Sequence, residues 1–226
     1  RTVHGHVFTL QLAPPKGANF QSGDLLGLKP QKANEAERLY SIAKRPDNSI
    51  FLSIRHFEKG QISPFLKTLP LGQKIKAQLI SNLGFNLPKG NNPLVLVSNG
   101  TGLAPFLGMV SEMDKNREVK LYWGARSSTD GILYQNWLDE LLESRPKLEF
   151  IPVYSRERDC QYVQYRLNAN AQKWEKNMIV NATLMLCGSL NMQNGVLAVL
   201  EDLGQRHSHL KPDLLRAQGR LLSDCY

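Results

Sequence analysis

The 226-residue chain is short of cysteine and has no long apolar run, and each shortage excludes a class of protein. No stretch approaches the ~18–20 consecutive apolar residues that a membrane-spanning helix needs, and no signal-peptide pattern is read at its start. The three cysteines, Cys160, Cys187 and Cys225, are odd in number and have neither a metal-type nor a CxxC spacing. They are expected to be free thiols in a reducing, cytoplasmic compartment rather than a disulfide framework. His4-x-His6 and His207-x-His209 lack an acidic or thiol ligand at a familiar spacing, so no metal site is expected. Internal repeats and low-complexity tracts are absent, as are an Arg/Lys-rich helix and an aromatic platform for single strands, which leaves nucleic acid a distant option. The remaining composition, 42% hydrophobic and 21% charged, is that of an ordinary globular chain long enough for two domains.

The net charge of +8 is unevenly placed. Residues 1–88 hold twelve Lys/Arg against five Asp/Glu, or +7, whereas residues 89–226 hold sixteen against fifteen, or +1. A basic half suits an acidic protein, an anionic membrane or nucleic acid, and equally a solvated surface with no specific partner.

The two halves also differ in pattern. Residues 6–12, 49–56 and 73–79 read as strands separated by turn signals such as Ser22-Gly23-Asp24 and Pro46-Asp47-Asn48, which suggests a small antiparallel barrel or sandwich. Residues 86–93, with Pro88, Gly90 and Pro93, read as a linker. Residues 94–97 then form a short, continuously apolar run, as in a strand buried on both faces. Further strands are expected at 119–123, 148–153 and 183–187, alternating with helices at 104–113, 132–142, 162–174 and 192–203. That alternation implies a doubly wound parallel sheet. The expected domains are therefore a β-barrel at 1–88 and an α/β domain at 89–226.

Several short segments carry groups suited to chemistry, and each also has a plain structural reading. Arg38-Leu39-Tyr40-Ser41 combines a cation, an aromatic face and a hydroxyl, which can hold a diphosphate and a flat ring or simply form a surface strand. Gly60-Gln61-Ile62-Ser63 offers free backbone N–H groups at a helix start, or an ordinary N-cap at Ser63 followed by Pro64. Ser98-Asn99-Gly100-Thr101-Gly102 lies between a buried strand and a helix, where an α/β sheet receives a nucleotide. It is neither a Walker loop nor GxGxxG, because Pro105 takes the third glycine's place. Cys187-Gly188 ends another strand, as a small buried hydrophobe or a site residue. Asp224-Cys225-Tyr226 is the C-terminal end, where three residues are ordinarily frayed.

In order, these segments resemble the ferredoxin–NADP reductase superfamily, most closely the FAD/NADPH module of sulfite reductase flavoproteins and NADPH–cytochrome reductases. The resemblance runs from Gly23-Asp24-x-x-Gly27 to Tyr226 and includes Tyr122-Trp123-Gly124-x-Arg126, Ser155-Arg156-Glu157, Tyr162-Val163-Gln164 and Asn191-Met192. It implies an FAD-binding barrel followed by an NADP-binding α/β domain. It implies that Arg38, Leu39, Tyr40 and Ser41 hold the FAD diphosphate and flavin, with Ser53 and Arg55 alongside the isoalloxazine. Gly60, Gln61, Ile62 and Ser63 would cradle the diphosphate, and Tyr226 would cover the other flavin face. Gly100, Thr101, Gly102, Arg126, Ser155, Arg156, Tyr162 and Gln164 would contact NADPH. Ser41, Cys187, Asp224 and Tyr226 would surround the hydride-transfer site.

The implied activity is NADPH-dependent reduction of FAD, then electron transfer to an acidic flavodoxin, FMN domain, ferredoxin or haem protein. The basic half would steer such a carrier. A free flavin or ferric reductase, or a non-catalytic nucleotide-binding regulatory module, would keep the same fold. The intact Ser41, Cys187, Asp224 and Tyr226 set argues against the last. Three features depart from the family pattern. Only seven residues separate Pro30 from Arg38, where diflavin reductases carry a connecting domain. No flavodoxin-type segment is contained in the chain, so an FMN carrier is expected elsewhere, within a larger parent protein or apart from it. The lysine between Ser-Arg and Tyr-x-Gln is missing, with Gln161 near its place and Arg156 and Arg158 left to supply cationic contacts. In addition, Gly195 stands where the family often has an acidic contact.

Overall fold

Strand β6 (Ile50–Arg55) shows how pattern becomes architecture in the first half of the chain. Ile50, Leu52 and Ile54 are buried, whereas Phe51 and Ser53 are half-buried and Arg55 is exposed. Side chains alternate between the faces of a strand, so three β-branched or γ-branched residues enter the core and Ser53 and Arg55 share the other face. The computed structural model describes residues 2–29, 37–158, 160–179 and 181–226. The short connection expected between Pro30 and Arg38 lies mostly outside them.

Two compact units are distinguished: Arg1–Leu87 with Ala104–Glu112, and Pro88–Leu103 with Met113–Tyr226. The first contains two antiparallel sheets. One runs β1 (Thr2–His4), β2 (Val7–Leu12), β6, β5 (Ala43–Lys44), and the other runs β4 (Arg38–Ser41), β3 (Leu25–Leu28), β7 (Gln78–Ile80). Phe8, Leu10, Leu26, Leu28, Leu52 and Ile54 from both sheets close on helix α1 (Ile62–Thr68) through Ile62 and Leu66. The Gly23-Asp24 turn ties the sheets' ends. Gly23 sits at φ +96°, and the buried Asp24 carboxylate accepts from the backbone N–H of Gln21 at 3.0 Å and of Asn82 at 3.1 Å.

Only the end of the expected 73–79 strand forms. Gln78–Ile80 pairs with Gly27–Leu25, and among the described residues the pairing of β3 with β7 does not extend before Gln78. Alternation alone had suggested more.

Helix α2 (Leu103–Glu112) illustrates a division that sequence periodicity did not anticipate, because Ala104–Glu112 belongs with the first unit although the expected boundary put it in the second. The Glu112 carboxylate accepts from both the backbone N–H and the hydroxyl of Ser22. Gly108 is the point of close approach: a Cβ there would overlap Ser22 Oγ and stand 2.9 Å from the Lys44 nitrogen. Gly108→Ala is therefore expected to destabilise this unit by about 2–3 kcal/mol, as overpacking against backbone does. Denaturant unfolding checks it, and an unchanged midpoint would contradict this account of the contact.

The second unit is built on a five-stranded parallel sheet in the order β10 (Leu148–Tyr154), β9 (Val119–Ala125), β8 (Leu94–Asn99), β11 (Thr183–Gly188), β12 (Leu221–Cys225). β11 is buried throughout and β8 is buried up to Asn99, as expected of central strands covered on both faces. Helices α3 (Gln135–Ser144), α4 (Val163–Ala169), α5 (Ala171–Ile179), α6 (Leu190–Arg206) and α7 (Pro212–Ala217) complete the unit. The expected helix at 132–142 is a 3-10 turn at Ser128–Leu133 followed by α3, and that at 162–174 is two helices meeting at Asn170. The last residues are not frayed. Leu221–Cys225 adds a fifth strand beside β11, which places Cys187 opposite Asp224 and Gly188 opposite Cys225. Arg117, nearly fully buried, fastens the expected linker segment to this unit by donating to the carbonyls of Asn92 at 2.7 Å and Pro88 at 2.9 Å.

Candidate functional site

On the first unit, the expected flavin residues occupy β4, β6 and the loop into α1. Arg38 and Leu39 are exposed, and Tyr40 and Ser41 are half-buried. Burial pushes the Tyr40 phenol above its ordinary range, and the Arg38 guanidinium opposes that shift. On β6, Ser53 is half-buried and the exposed Arg55 guanidinium lies 5.4 Å from the Phe57 ring centroid. Ser63 is buried, and its hydroxyl accepts from the Phe57 N–H at 3.0 Å. It does not cap the helix; Gln61 occupies that position without a side-chain capping bond. Gly60 is held tightly, since a Cβ would stand 3.0 Å from the Phe57 carbonyl and 3.2 Å from Ser63 Oγ.

On the second unit, the expected residues gather along the carboxyl ends of the parallel strands. In a sheet of this order the ligand crevice opens where the chain's winding reverses, here between β8 and β11. Gly100–Gly102 forms a 3-10 turn after β8. Gly100 has φ +53°, and among the described residues nothing stands within 4 Å of where its Cβ would be, so the backbone face is bare. Gly102 is the opposite case: a Cβ would overlap the Cys187 carbonyl. The Trp123 indole N–H donates to the Gly100 carbonyl at 3.0 Å and holds the turn from β9.

Cys187 is fully buried beside Asp224. Burial, with Asp224 and Cys225 adding to it, pushes its thiol well above the ordinary value, so it stays protonated at neutral pH. Asp224 is half-buried. The Tyr226 N–H donates to the Gly188 carbonyl at 3.0 Å, which sets the last residue over the end of β11. Tyr226 is 68% exposed as a residue. Burial pushes its phenol up to about 12, with Cys187 adding to the shift and Thr101 opposing it.

Arg126 follows β9, Ser155 and Arg156 follow β10, and Tyr162 precedes α4. Backbone bonds knit these loops: Ser155 N–H to the Ala125 carbonyl at 2.9 Å and Arg156 N–H to the Arg126 carbonyl at 2.8 Å. Arg126, Arg156 and Tyr162 are exposed, an arrangement fit to receive an anion. Gln164 is half-buried against Gly195, where a Cβ would stand 2.8 Å from its Cγ. The glycine that departs from the family pattern thus makes room for Gln164. Sequence reasoning quoted Asn99 and Trp123 only as members of motifs, without a role, and passed over Ser189; all three brace the crevice. Nothing in their residue types separates a brace from an ordinary turn residue. Among the described residues no group of three or more His, Cys, Asp or Glu could hold a metal, and no helix is long and apolar enough to cross a membrane.

The raised acids carry a stability consequence. Cys225 is pushed up to about 11 and Tyr122 to about 12, chiefly by burial, and Cys187 moves the same way. An unfolded chain releases these protons near ~8.5 for thiols and ~10 for phenols, so above about pH 9 it binds fewer protons than the folded one. Stability must then fall as pH rises. The expected result is a melting temperature that declines steadily from about pH 8.5 to about pH 11; a flat profile would contradict the burial of these groups.

Comparison with known proteins agrees with this architecture. Residues 96–197 match the family model for the oxidoreductase NAD-binding domain. The flavoprotein alpha-component of NADPH sulfite reductase from Vibrio vulnificus is 31% identical over 91% of this chain and 36% of its own length. Its counterpart from Photobacterium profundum is 30% identical over 75% of this chain and 32% of its own length. NADPH–cytochrome P450 reductase from Dictyostelium discoideum is 26% identical over 88% of this chain and 35% of its own. The chain therefore spans about a third of the length of these relatives. Among solved structures, ferredoxin–NADP+ reductase from Plasmodium falciparum, determined with 2'P-AMP, superposes with a TM-score of 0.79 at 21% identity. That match covers 97% of this chain and 88% of the other. With an antiparallel β unit and a five-stranded parallel unit, the chain has the fold of ferredoxin–NADP+ reductase, carries an oxidoreductase NAD-binding domain at 96–197, and is similar over most of its length to NADPH-dependent flavoprotein reductases.

Proposed function

We propose that this chain is the FAD- and NADPH-binding module of a flavoprotein reductase that passes electrons to an acidic protein carrier. The observation that carries the proposal is the arrangement at the carboxyl edge of the parallel sheet. There Gly100–Gly102 and Cys187 flank the winding reversal between β8 and β11, Asp224 lies opposite Cys187 on the adjoining β12, the Tyr226 N–H bonds to Gly188, and Arg126, Ser155, Arg156 and Tyr162 lie near the neighbouring strand ends. The expected domains, 1–88 for FAD and 89–226 for NADP, are part of this proposal, with helix α2 belonging to the first unit.

The residues present suit both groups. Gly100 offers a bare backbone face to a pyrophosphate, and the exposed Arg126, Arg156 and Tyr162 offer donors to a 2'-phosphate. Arg158, also exposed, adds a cation where the family's lysine is missing. Arg38 supplies a guanidinium to a diphosphate, and the half-buried Tyr40 an aromatic face to a flavin. FAD, when bound, supplies acceptance of a hydride and release of electrons one at a time. The chain's own residues bind, orient and exclude water. Ser41 presents a hydroxyl beside Tyr40 on β4. Asp224 would supply a carboxylate to offset positive charge on a bound nicotinamide, help that counts most where water is excluded. Cys187 stays a neutral thiol in the same row as Asp224. Tyr226 would offer an aromatic face to a bound ring at the end of β12.

The relatives' names support NADPH as donor, and the Plasmodium structure's 2'P-AMP supports a 2'-phosphate subsite in this fold. The excess of basic residues in the first 88 favours an acidic carrier such as a flavodoxin, FMN domain, ferredoxin or haem protein. Anaerobic titration of FAD-loaded protein with NADPH and with NADH tests the reading. Flavin absorbance should bleach on about one equivalent of NADPH and respond more weakly to NADH, because only NADPH uses the Arg126 and Arg156 contacts. A chain that takes up no FAD, or whose flavin neither nucleotide reduces, refutes it.

A further inference from the structure

We propose that Asn99 is a positioning residue, which clamps the two lips of the nucleotide crevice and sets the place of Tyr226. The inference rests on the function proposed above and concerns a residue to which that reading gives no role. Asn99 ends β8 and Ser189 follows β11, so the two face each other across the winding reversal of the sheet. The Asn99 amide is used at both ends: its Oδ1 accepts from the Ser189 N–H at 2.9 Å and its Nδ2 donates to Ser189 Oγ at 3.0 Å. The backbone N–H can only donate, which settles the orientation of the amide. Ser189 Oγ also accepts from the Met192 N–H at 3.3 Å and caps the 17-residue helix α6.

The clamp continues into the site. Gly188 has φ +144°, and a Cβ on it would overlap Asn99 Oδ1, so the pair suits only a glycine beside an asparagine of this orientation. The carbonyl of the same Gly188 accepts the N–H of Tyr226. Asn99 thus reaches the terminal ring through Gly188 and reaches the phosphate turn directly, since Gly100 follows it in the chain. An alanine at 99 removes both amide bonds and leaves the Ser189 N–H without its partner. The turn, the start of α6 and Tyr226 should then lose their common register. The loops carrying Arg126, Ser155 and Arg156 hang from β9 and β10, are joined by their own backbone bonds, and should not feel the change.

The test compares the wild-type chain with Asn99→Ala, Ser189→Ala and the double variant. Three readouts are needed: amide hydrogen exchange at Ser189 and Met192, binding of 2',5'-ADP by calorimetry, and the anaerobic rate of flavin reduction by NADPH. For Asn99→Ala, losing these hydrogen bonds should speed exchange at both amides and slow flavin reduction about tenfold. The 2',5'-ADP affinity should fall clearly less than the rate does, by about threefold at most, because its 2'-phosphate engages loops outside the clamp and only its 5'-phosphate approaches the Gly100 turn. Adding Ser189→Ala to Asn99→Ala should slow reduction no further. Unchanged exchange, an unaltered rate, or an equal loss of 2',5'-ADP affinity would each overturn the proposal, the last by pointing to general damage. Should the wild-type chain bind 2',5'-ADP yet leave its flavin oxidised, the proposed activity falls. The exchange data then decide the clamp alone, with unchanged exchange in Asn99→Ala overturning it.

Discussion

Arg38→Ala should leave the protein folded and strip it of flavin. Arg38 is exposed on β4 and contributes nothing to the buried core, so the fold should not depend on it. In the proposed site it would make two or more charge-assisted bonds to a diphosphate, each contributing roughly 1.5–3 kcal/mol. Even one such bond at the upper end corresponds to about a hundredfold loss of FAD affinity. Flavin content after gel filtration, and the dissociation constant from fluorescence titration, measure the loss. A second sign is independent of the cofactor: the Tyr40 phenol, which Arg38 holds down against burial, should titrate higher in the variant. Full flavin occupancy in Arg38→Ala would remove the residue from the site.

Asp224→Asn should do the reverse, keeping FAD bound while slowing its reduction by about a hundredfold, the scale seen when a group facing developing charge is removed from a dry site. The substitution keeps shape and removes one negative charge. Asp224 lies opposite Cys187 in the sheet and helps to raise its thiol, so the thiol should ionise at lower pH in the variant. Burial remains the larger cause, and Cys187 should still be protonated at neutral pH. Stopped-flow reduction under anaerobic conditions gives the rate, and the pH profile of thiol alkylation gives the shift. An unaltered rate together with a shifted thiol would leave Asp224 as an electrostatic neighbour of Cys187 and nothing more.

The parts legible in the sequence were those whose cause is local. Residues 94–97 could be read as a strand buried on both faces because such burial demands uninterrupted apolar residues, and 183–187 as a further strand; they form within β8 and β11. The glycine-rich turn between β8 and α2 was legible because its bare backbone face needs residues without side chains. Where an element exists only by virtue of a partner, the same reasoning failed. The 73–79 alternation looked like a strand, yet among the described residues its pairing with β3 begins only at Gln78. Asp224-Cys225-Tyr226 looked like a frayed end, yet β11 offers an edge to Leu221–Cys225 and turns it into the strand that carries Asp224.

By itself the sequence determined the two fold types, the order of the sheet-forming segments and the residue types offered to each cofactor, since periodicity, turn chemistry and glycine placement are properties of neighbours along the chain. Tertiary structure alone decided that Ala104–Glu112 packs with the first unit through Gly108 and Glu112, that Asp224 lies opposite Cys187, and that Asn99 grips Ser189. Each of these joins residues about ninety positions apart or sets one strand against another. Their energy comes from close approach and paired hydrogen bonds, which exist only once the backbone has brought the partners together.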